Sequence, residues 1–244
     1  NWKAGGSASS NSDGSITSTV SANTTAGFSI ATYTGTGSGA TVGHGLGTTP
    51  AWVLVKERGA SGESWNNFHQ SLGGGKTIML NLTNAEQSSS TIWNNTAPTS
   101  SVFSVGADAG SNGSSKTYVA YCFAEKKGYS KFGSLTGNGN ADGAFVYTGF
   151  KPAWIMYKRT NSGADDSWVI ADNKRDIDNV VQKYIFADQS NAEGTTNFVD
   201  FLSNGFKYRV ADNTTNGSGN SYIYMAFAEN PFVTAGTKAA GTAR

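Results

Sequence analysis

Short apolar runs alternate with polar punctuation along this chain. Trp52 to Lys56, Ser101 to Gly106 and Tyr118 to Ala124 are brief and rich in β-branched or aromatic residues, so they read as buried or half-buried strands. Gly/Asn/Ser clusters separate them. Asn112-Gly113 and Asn216-Gly217 are dipeptides that accept positive φ at both central positions of a hairpin turn. Helix is a candidate only around Asp176 to Phe186. There Ile177, Val180, Val181, Tyr184 and Ile185 recur at roughly helical spacing, and an edge strand fits the same residues.

The pattern repeats. Pro50-Ala51-Trp52-Val53-Leu54-Val55-Lys56 matches Pro152-Ala153-Trp154-Ile155-Met156-Tyr157-Lys158, and Trp65 matches Trp168. Phe103 pairs with Phe206, Asp108 with Asp212, and Asn112-Gly113 with Asn216-Gly217. The run from Tyr118 to Glu125 likewise pairs with that from Tyr222 to Glu229. A duplicated unit of about a hundred residues follows. The expected fold is all-β: two tandem β-sandwich repeats, jelly-roll or lectin-like, at residues 27–132 and 133–244. Residues 1–26 read as the tail of an upstream repeat, because Asn1-Trp2-Lys3-Ala4 resembles the closing strand of a unit, followed by a Ser/Asn/Thr linker.

Composition agrees with many short strands. Gly is abundant (31), Pro scarce (4) and aromatics reach 12%. Only 14% of residues are charged, and 18 Lys plus Arg nearly balance 17 Asp plus Glu, so solubility rests on Ser, Thr, Asn and Gly. The densest basic run, Lys126-Lys127 with Lys131 nearby, is too sparse for a nucleic-acid footprint. One cysteine, Cys122, and two histidines supply neither an intrachain disulfide nor a Cys/His zinc site. No apolar stretch approaches the roughly 20 residues of a membrane-spanning helix, and no cofactor is implied.

Chemical motifs are weak. Gly73-Gly74-Gly75-Lys76-Thr77 ends like a phosphate-binding loop, but Gln70 stands where the first glycine belongs. Asp108 to Gly113 and Asp212 to Gly217 suggest calcium loops, yet Val119 and Ile223 occupy the position of the closing glutamate, and turn chemistry explains both copies. Asp172, Asp176 and Asp178 lie beside Lys174 and Arg175 and read as an ion-paired, solvated face or as glycosidase carboxylates. His44 and His69 lack a nucleophile-elbow pattern, so no catalytic residue is assigned and the reading is non-enzymatic. Aromatics are the best binding material, because their rigid faces stack on sugars at low entropic cost. Trp52 and Trp154 sit in apolar strands and read as core. Trp65 and Trp168 follow polar stretches and, with Asp165 and Asp166, are the candidate ligand-binding residues.

Several strings together carry a family resemblance. They are Val42-Gly43-His44-Gly45-Leu46-Gly47 running into Pro50-Ala51-Trp52, Tyr118 to Glu125, Gly149-Phe150-Lys151-Pro152-Ala153-Trp154, and Asp200-Phe201-Leu202-Ser203-Asn204-Gly205-Phe206-Lys207. With them the chain resembles the repeated C-terminal modules of bacteriophage tail-fibre and other virion-surface proteins, especially those of marine phages. The resemblance implies serial β-sandwich modules on the virion surface or otherwise extracellular. It implies host-surface glycan and other virion proteins as partners, and a homo-oligomer, commonly a trimer. The ending from Ala226 to Arg244 resembles the C-terminus of such proteins. It carries over no catalytic residue. A capsid-decoration or head-fibre protein without ligand binding, and a polysaccharide-degrading tailspike, remain the alternatives.

Overall fold

The structure, a computed structural model, describes residues 2–59, 62–161 and 166–230. It is all-β, with a single four-residue helix, Ala109–Asn112, among the described residues. The chain forms two compact units. One comprises the residues up to Asn81 with Glu86–Glu125; the other comprises Leu82–Ala85 and the chain from Lys126 onward.

The first unit contains β1 (Ser9–Asn11), β2 (Ser18–Asn23), β3 (Phe28–Thr34), β4 (Ala40–Gly43), β5 (Trp52–Glu57) and β6 (Asn66–His69). After these come β7 (Lys76–Met79), β8 (Gln87–Ser88), β9 (Val102–Val105) and β10 (Thr117–Phe123). Eight strands form one sheet in the order β1-β2-β3-β10-β5-β6-β7-β8, and β4 pairs separately with β9. Alternation places Ala31, Tyr33, Val53, Val55, Ala120 and Cys122 on one face, in a single core with Val42, Phe103 and Val105 of the smaller sheet. Trp52 and Leu54 point the other way and are also buried, which is why β5 reads as an unbroken apolar run.

The second unit contains β11 (Ser130–Thr136), β12 (Phe145–Tyr147), β13 (Pro152–Arg159) and β14 (Val169–Asp172). It continues with β15 (Val181–Phe186), β16 (Gly194–Leu202), β17 (Gly205–Tyr208) and β18 (Ser221–Ala228). The sheet order is β11-β18-β13-β14-β15-β16-β17-β12. This sheet curls around its core, nearly closed like a barrel. Val146, Val199, Phe201 and Phe206 from its far strands meet Ile155, Tyr157, Tyr224 and Ala226. The central order β3-β10-β5-β6-β7 thus recurs as β11-β18-β13-β14-β15.

Detailed contacts recur with it. Tyr118 Oη donates to Ala109 O at 2.5 Å and accepts the Gly113 amide; Tyr222 Oη donates to Asn213 O at 2.6 Å and accepts the Gly217 amide. Asn112 Oδ1 accepts the Thr36 amide at 2.8 Å, as Asn216 Oδ1 accepts that of Asn138 at 3.1 Å. A Cβ added at Gly35 would lie 2.3 Å from Gly113 O, and one at Gly137 the same 2.3 Å from Gly217 O, so each turn needs a residue without a side chain.

Three expectations change. Residues 7–26 are not a linker: they contain β1 and β2, and β2 pairs along β3 from Thr19↔Thr32 to Asn23↔Phe28. The stretch is polar overall, but Ile16 and Val20 reach the core while backbone bonds hold the rest. The division near residue 132 moves to Glu125, because Ser130 to Phe132 belong to β11 and pair with β18. The Asp176–Phe186 segment ends in a strand, β15, which lies inside the sheet between β14 and β16 rather than at its edge. There the apolar spacing serves one barrel face, with Tyr184 and Phe186 packed against the core.

Candidate functional site

The four sequence candidates do not form one site. Trp65 is half-buried just before β6, and its ring stacks on Tyr121 at a centroid distance of 6.0 Å and 27°. Trp168 is 0% exposed and its backbone amide donates to Asp188 Oδ1 at 3.2 Å. A ring with no accessible face cannot stack on a sugar, so Trp168 is a core residue. Asp166 is 4% exposed and pairs with Arg159 Nη1 at 3.3 Å, while its Oδ1 accepts from Thr214 Oγ1 at 3.3 Å. Asp165 lies outside the described residues. Trp52 is core as expected, with Nε1 donating to Asn67 Oδ1 at 3.1 Å, whereas Trp154 is half-buried.

The other motifs resolve into structural roles. Lys76 begins β7 and pairs with Glu86, and a strand rather than a helix follows the glycines, so no phosphate loop is built. Asp108 Oδ1 accepts the Gly110 amide and Asp212 Oδ1 the Thr215 amide, each at 2.8 Å; both aspartates cap turns. Among the described residues no group of three or more His, Cys, Asp or Glu side chains gathers as a metal site. Asp172 accepts the Lys174 and Arg175 amides at 2.9 Å and pairs with Arg175 Nε at 3.1 Å. Asp176 accepts the Gln182 amide at 2.9 Å. These carboxylates serve backbone and ion pairs.

Both histidines are buried at 0% exposure. His44 Nδ1 accepts the Leu46 amide at 3.2 Å and Nε2 faces Thr99 O at 3.2 Å, which fits a neutral ring with its proton on Nε2. Burial holds its pKa below the ordinary 6.5, against the upward pull of the Thr99 carbonyl. It is a satisfied structural histidine rather than an accessible base.

The second unit carries a cleft that sequence reasoning missed. A cavity of about 100 Å³ opens between β14, β15, β16 and the loop after β17. Phe198 floors it, 2% exposed and stacked on Tyr157 at 5.8 Å. Tyr184 stacks on Phe198 at 5.0 Å and 22°, Phe186 meets Tyr184 edge-on at 5.5 Å, and both are half-buried. Thr196, Asp212 and Thr214 supply the polar rim. Tyr184 lies across Gly194, its cross-strand partner; a Cβ there would stand 2.3 Å from Tyr184 Cζ. Alternation along Val181 to Phe186 could have flagged Tyr184 and Phe186 as one face, but the approach of Asp212 and Thr214 from distant sequence has no local signal.

The counterpart position in the first unit is occupied. Asn66 stands where Val169 does, and Gly110 where Thr214 does, in the repeat alignment. Asn66 Nδ2 donates to Gly110 O at 3.2 Å, bridging strand to loop. In the second unit Val169 cannot form that bridge, and aromatic rings line the gap instead.

Fold and site together define an all-β protein of two compact units with a hydroxyl-rimmed aromatic cleft in the second. The chain belongs to the family described as a domain of unknown function (DUF7483), which it matches over residues 1–231. No curated protein and no solved structure matches it.

Proposed function

We propose that this chain is a non-enzymatic, surface-displayed component of a bacteriophage virion, a tail-fibre segment of two tandem β-sandwich repeats that attaches to host-surface glycan. The observation that carries the reading is the cleft at Tyr184, Phe186 and Phe198. It joins the half-buried rings of Tyr184 and Phe186, with Phe198 buried behind them, to hydroxyl and carboxylate rim groups, the combination with which proteins hold sugars. The commitment of Asp166, Asp172 and Asp176 to backbone amides and ion pairs favours binding over hydrolysis. So does the burial of both histidines. Low charge and a polar, turn-rich surface suit display outside the cell, beside other virion proteins and further copies of the same chain.

The reading is tested by probing the purified chain on a glycan array and on host envelope polysaccharide, with released reducing ends assayed in parallel. Saturable binding to defined glycans without release is expected. Steady release of oligosaccharide would assign a tailspike activity instead, and a folded chain that binds no glycan would leave a decoration or scaffold role.

A further inference from the structure

We infer that the cleft of the second unit binds a single uncharged hexopyranose, the exposed terminal sugar of a glycan, with one face of its ring on Tyr184 and its hydroxyls on Asp212, Thr196 and Thr214. The inference rests on the proposed glycan reading and narrows it to one ligand class. Three observations carry it.

Size comes first. The cavity holds about 100 Å³, against roughly 300 Å³ and above for sites that enclose drug-sized ligands. That is too small to enclose a whole hexopyranose, so the cleft seats part of one ring while the rest of the sugar lies in solvent.

The rim chemistry is the second. Asp212 is fixed by the Thr215 amide on Oδ1 at 2.8 Å, which leaves Oδ2 turned to solvent as an acceptor. Thr214 spends its hydroxyl proton on Asp166 Oδ1 at 3.3 Å, so toward the cleft it accepts. A rim of acceptors that includes the Asp212 carboxylate welcomes hydroxyl donors and repels a uronate or sialate carboxylate.

The third is the platform. Tyr184 is held flat by Gly194 beneath it and by Phe198 stacked at 5.0 Å, so its orientation exists before any ligand arrives. A prepositioned ring gives stacking at little ordering cost. Because Asn66 bridges the corresponding gap in the first unit, the first unit does not repeat this cleft among the described residues.

A ligand of about twelve heavy atoms binds in the millimolar range. The test therefore uses the full chain, amide-labelled, titrated with methyl hexopyranosides, methyl glucuronide and a methyl sialoside, with saturation-transfer NMR on the sugar protons. At least one neutral hexopyranoside is expected to bind at millimolar concentration, with shifts at the Thr196 and Thr214 amides and no response to either anionic sugar. Tyr184→Ala is expected to weaken binding about tenfold or more, the scale of one lost aromatic contact. Asp212→Asn, which keeps the Oδ1 acceptor for Thr215, is expected to weaken it several-fold while the amide spectrum stays folded. Trp65→Ala is expected to leave the affinity unchanged.

Preference for an anionic sugar, or neutral-sugar binding that survives both Tyr184→Ala and Asp212→Asn, would overturn the inference while leaving glycan attachment standing. Array glycans lost only in Trp65→Ala would do the same. Absence of binding to any sugar, on the array and in solution, would remove both.

Discussion

At the scale of single residues, Lys158 shows how burial sets chemistry. It is 0% exposed, and its Nζ donates to the carbonyls of Thr83 and Asp166. Burial brings its pKa down from 10.5 to about 8, with Asp188 and Asp166 pulling the other way. The fold therefore disfavours the protonated form, and between about pH 8 and 10.5 the unfolded chain binds more protons than the folded one. Stability should rise with pH from 8 toward 9. Cys122, whose thiol burial pushes up from 9.0 to about 12, opposes this from pH 9, and Tyr33, Tyr157 and Tyr208 oppose it around and above their ordinary value of 10.0, because burial keeps all four protonated in the fold while the unfolded chain releases those protons. Denaturant midpoints measured from pH 7 to 11 should pass through a maximum near pH 9. In Lys158→Met the rising limb should vanish; its persistence would mean that a group other than Lys158 produces it.

Trp168 and Trp65 separate by the same logic of burial. Trp168→Ala should cost about 3–5 kcal/mol of stability, the range for removing a large buried aromatic, and would obscure any binding assay. Trp65→Ala removes a half-buried ring and should cost clearly less in the same urea titration. Equal losses would contradict the burial difference. The sequence pattern, two tryptophans each after a polar stretch, made them equivalent. Their difference arises from packing that no local window records.

At the scale of elements, the Asp-to-Gly loops before β10 and β18 are fastened by one asparagine each. Asn216 is 0% exposed; its Nδ2 donates to Asn138 Oδ1 at 2.7 Å and Asn140 O at 2.8 Å. Asn112 Nδ2 does the same for Ser38 O at 2.6 Å and Gly106 O at 2.7 Å. Asn216→Ala should destabilise the second unit by about 1–3 kcal/mol through groups left buried without partners. Asn216→Asp should be worse, since a carboxylate would face carbonyl oxygens. Thermal melts with Asp as the milder variant would refute this reading.

Elements with a strong apolar signal, β5, β10, β13 and β18, were readable from their runs, as was the duplication that relates them. β1 and β2 were not, because polar residues fill them and their order comes from backbone bonds to β3. β15 was ambiguous because its register shifts between Val181 and Lys183, which breaks the two-residue alternation of a strand.

At the scale of the whole molecule, the units share a central order of five strands, differ in the strands that flank it, and differ in one consequential place within it. Substituting Val169 for Asn66 and Thr214 for Gly110 unfastens strand from loop and leaves a cleft. The two copies keep the central strand order, and at these positions one is bridged and the other has a cleft. Aromatic richness made rings the candidate binding material from composition alone. The particular rings could not be chosen that way, because Tyr184, Phe198 and Asp212 meet only through the curl of the sheet. Isothermal titration of the full chain with a glycan ending in the neutral sugar that binds best tests this most directly. One site per chain is expected, weakened about tenfold or more in Tyr184→Ala and retained in Trp65→Ala. Two equivalent sites, or one site insensitive to Tyr184→Ala, would contradict a single cleft in the second unit.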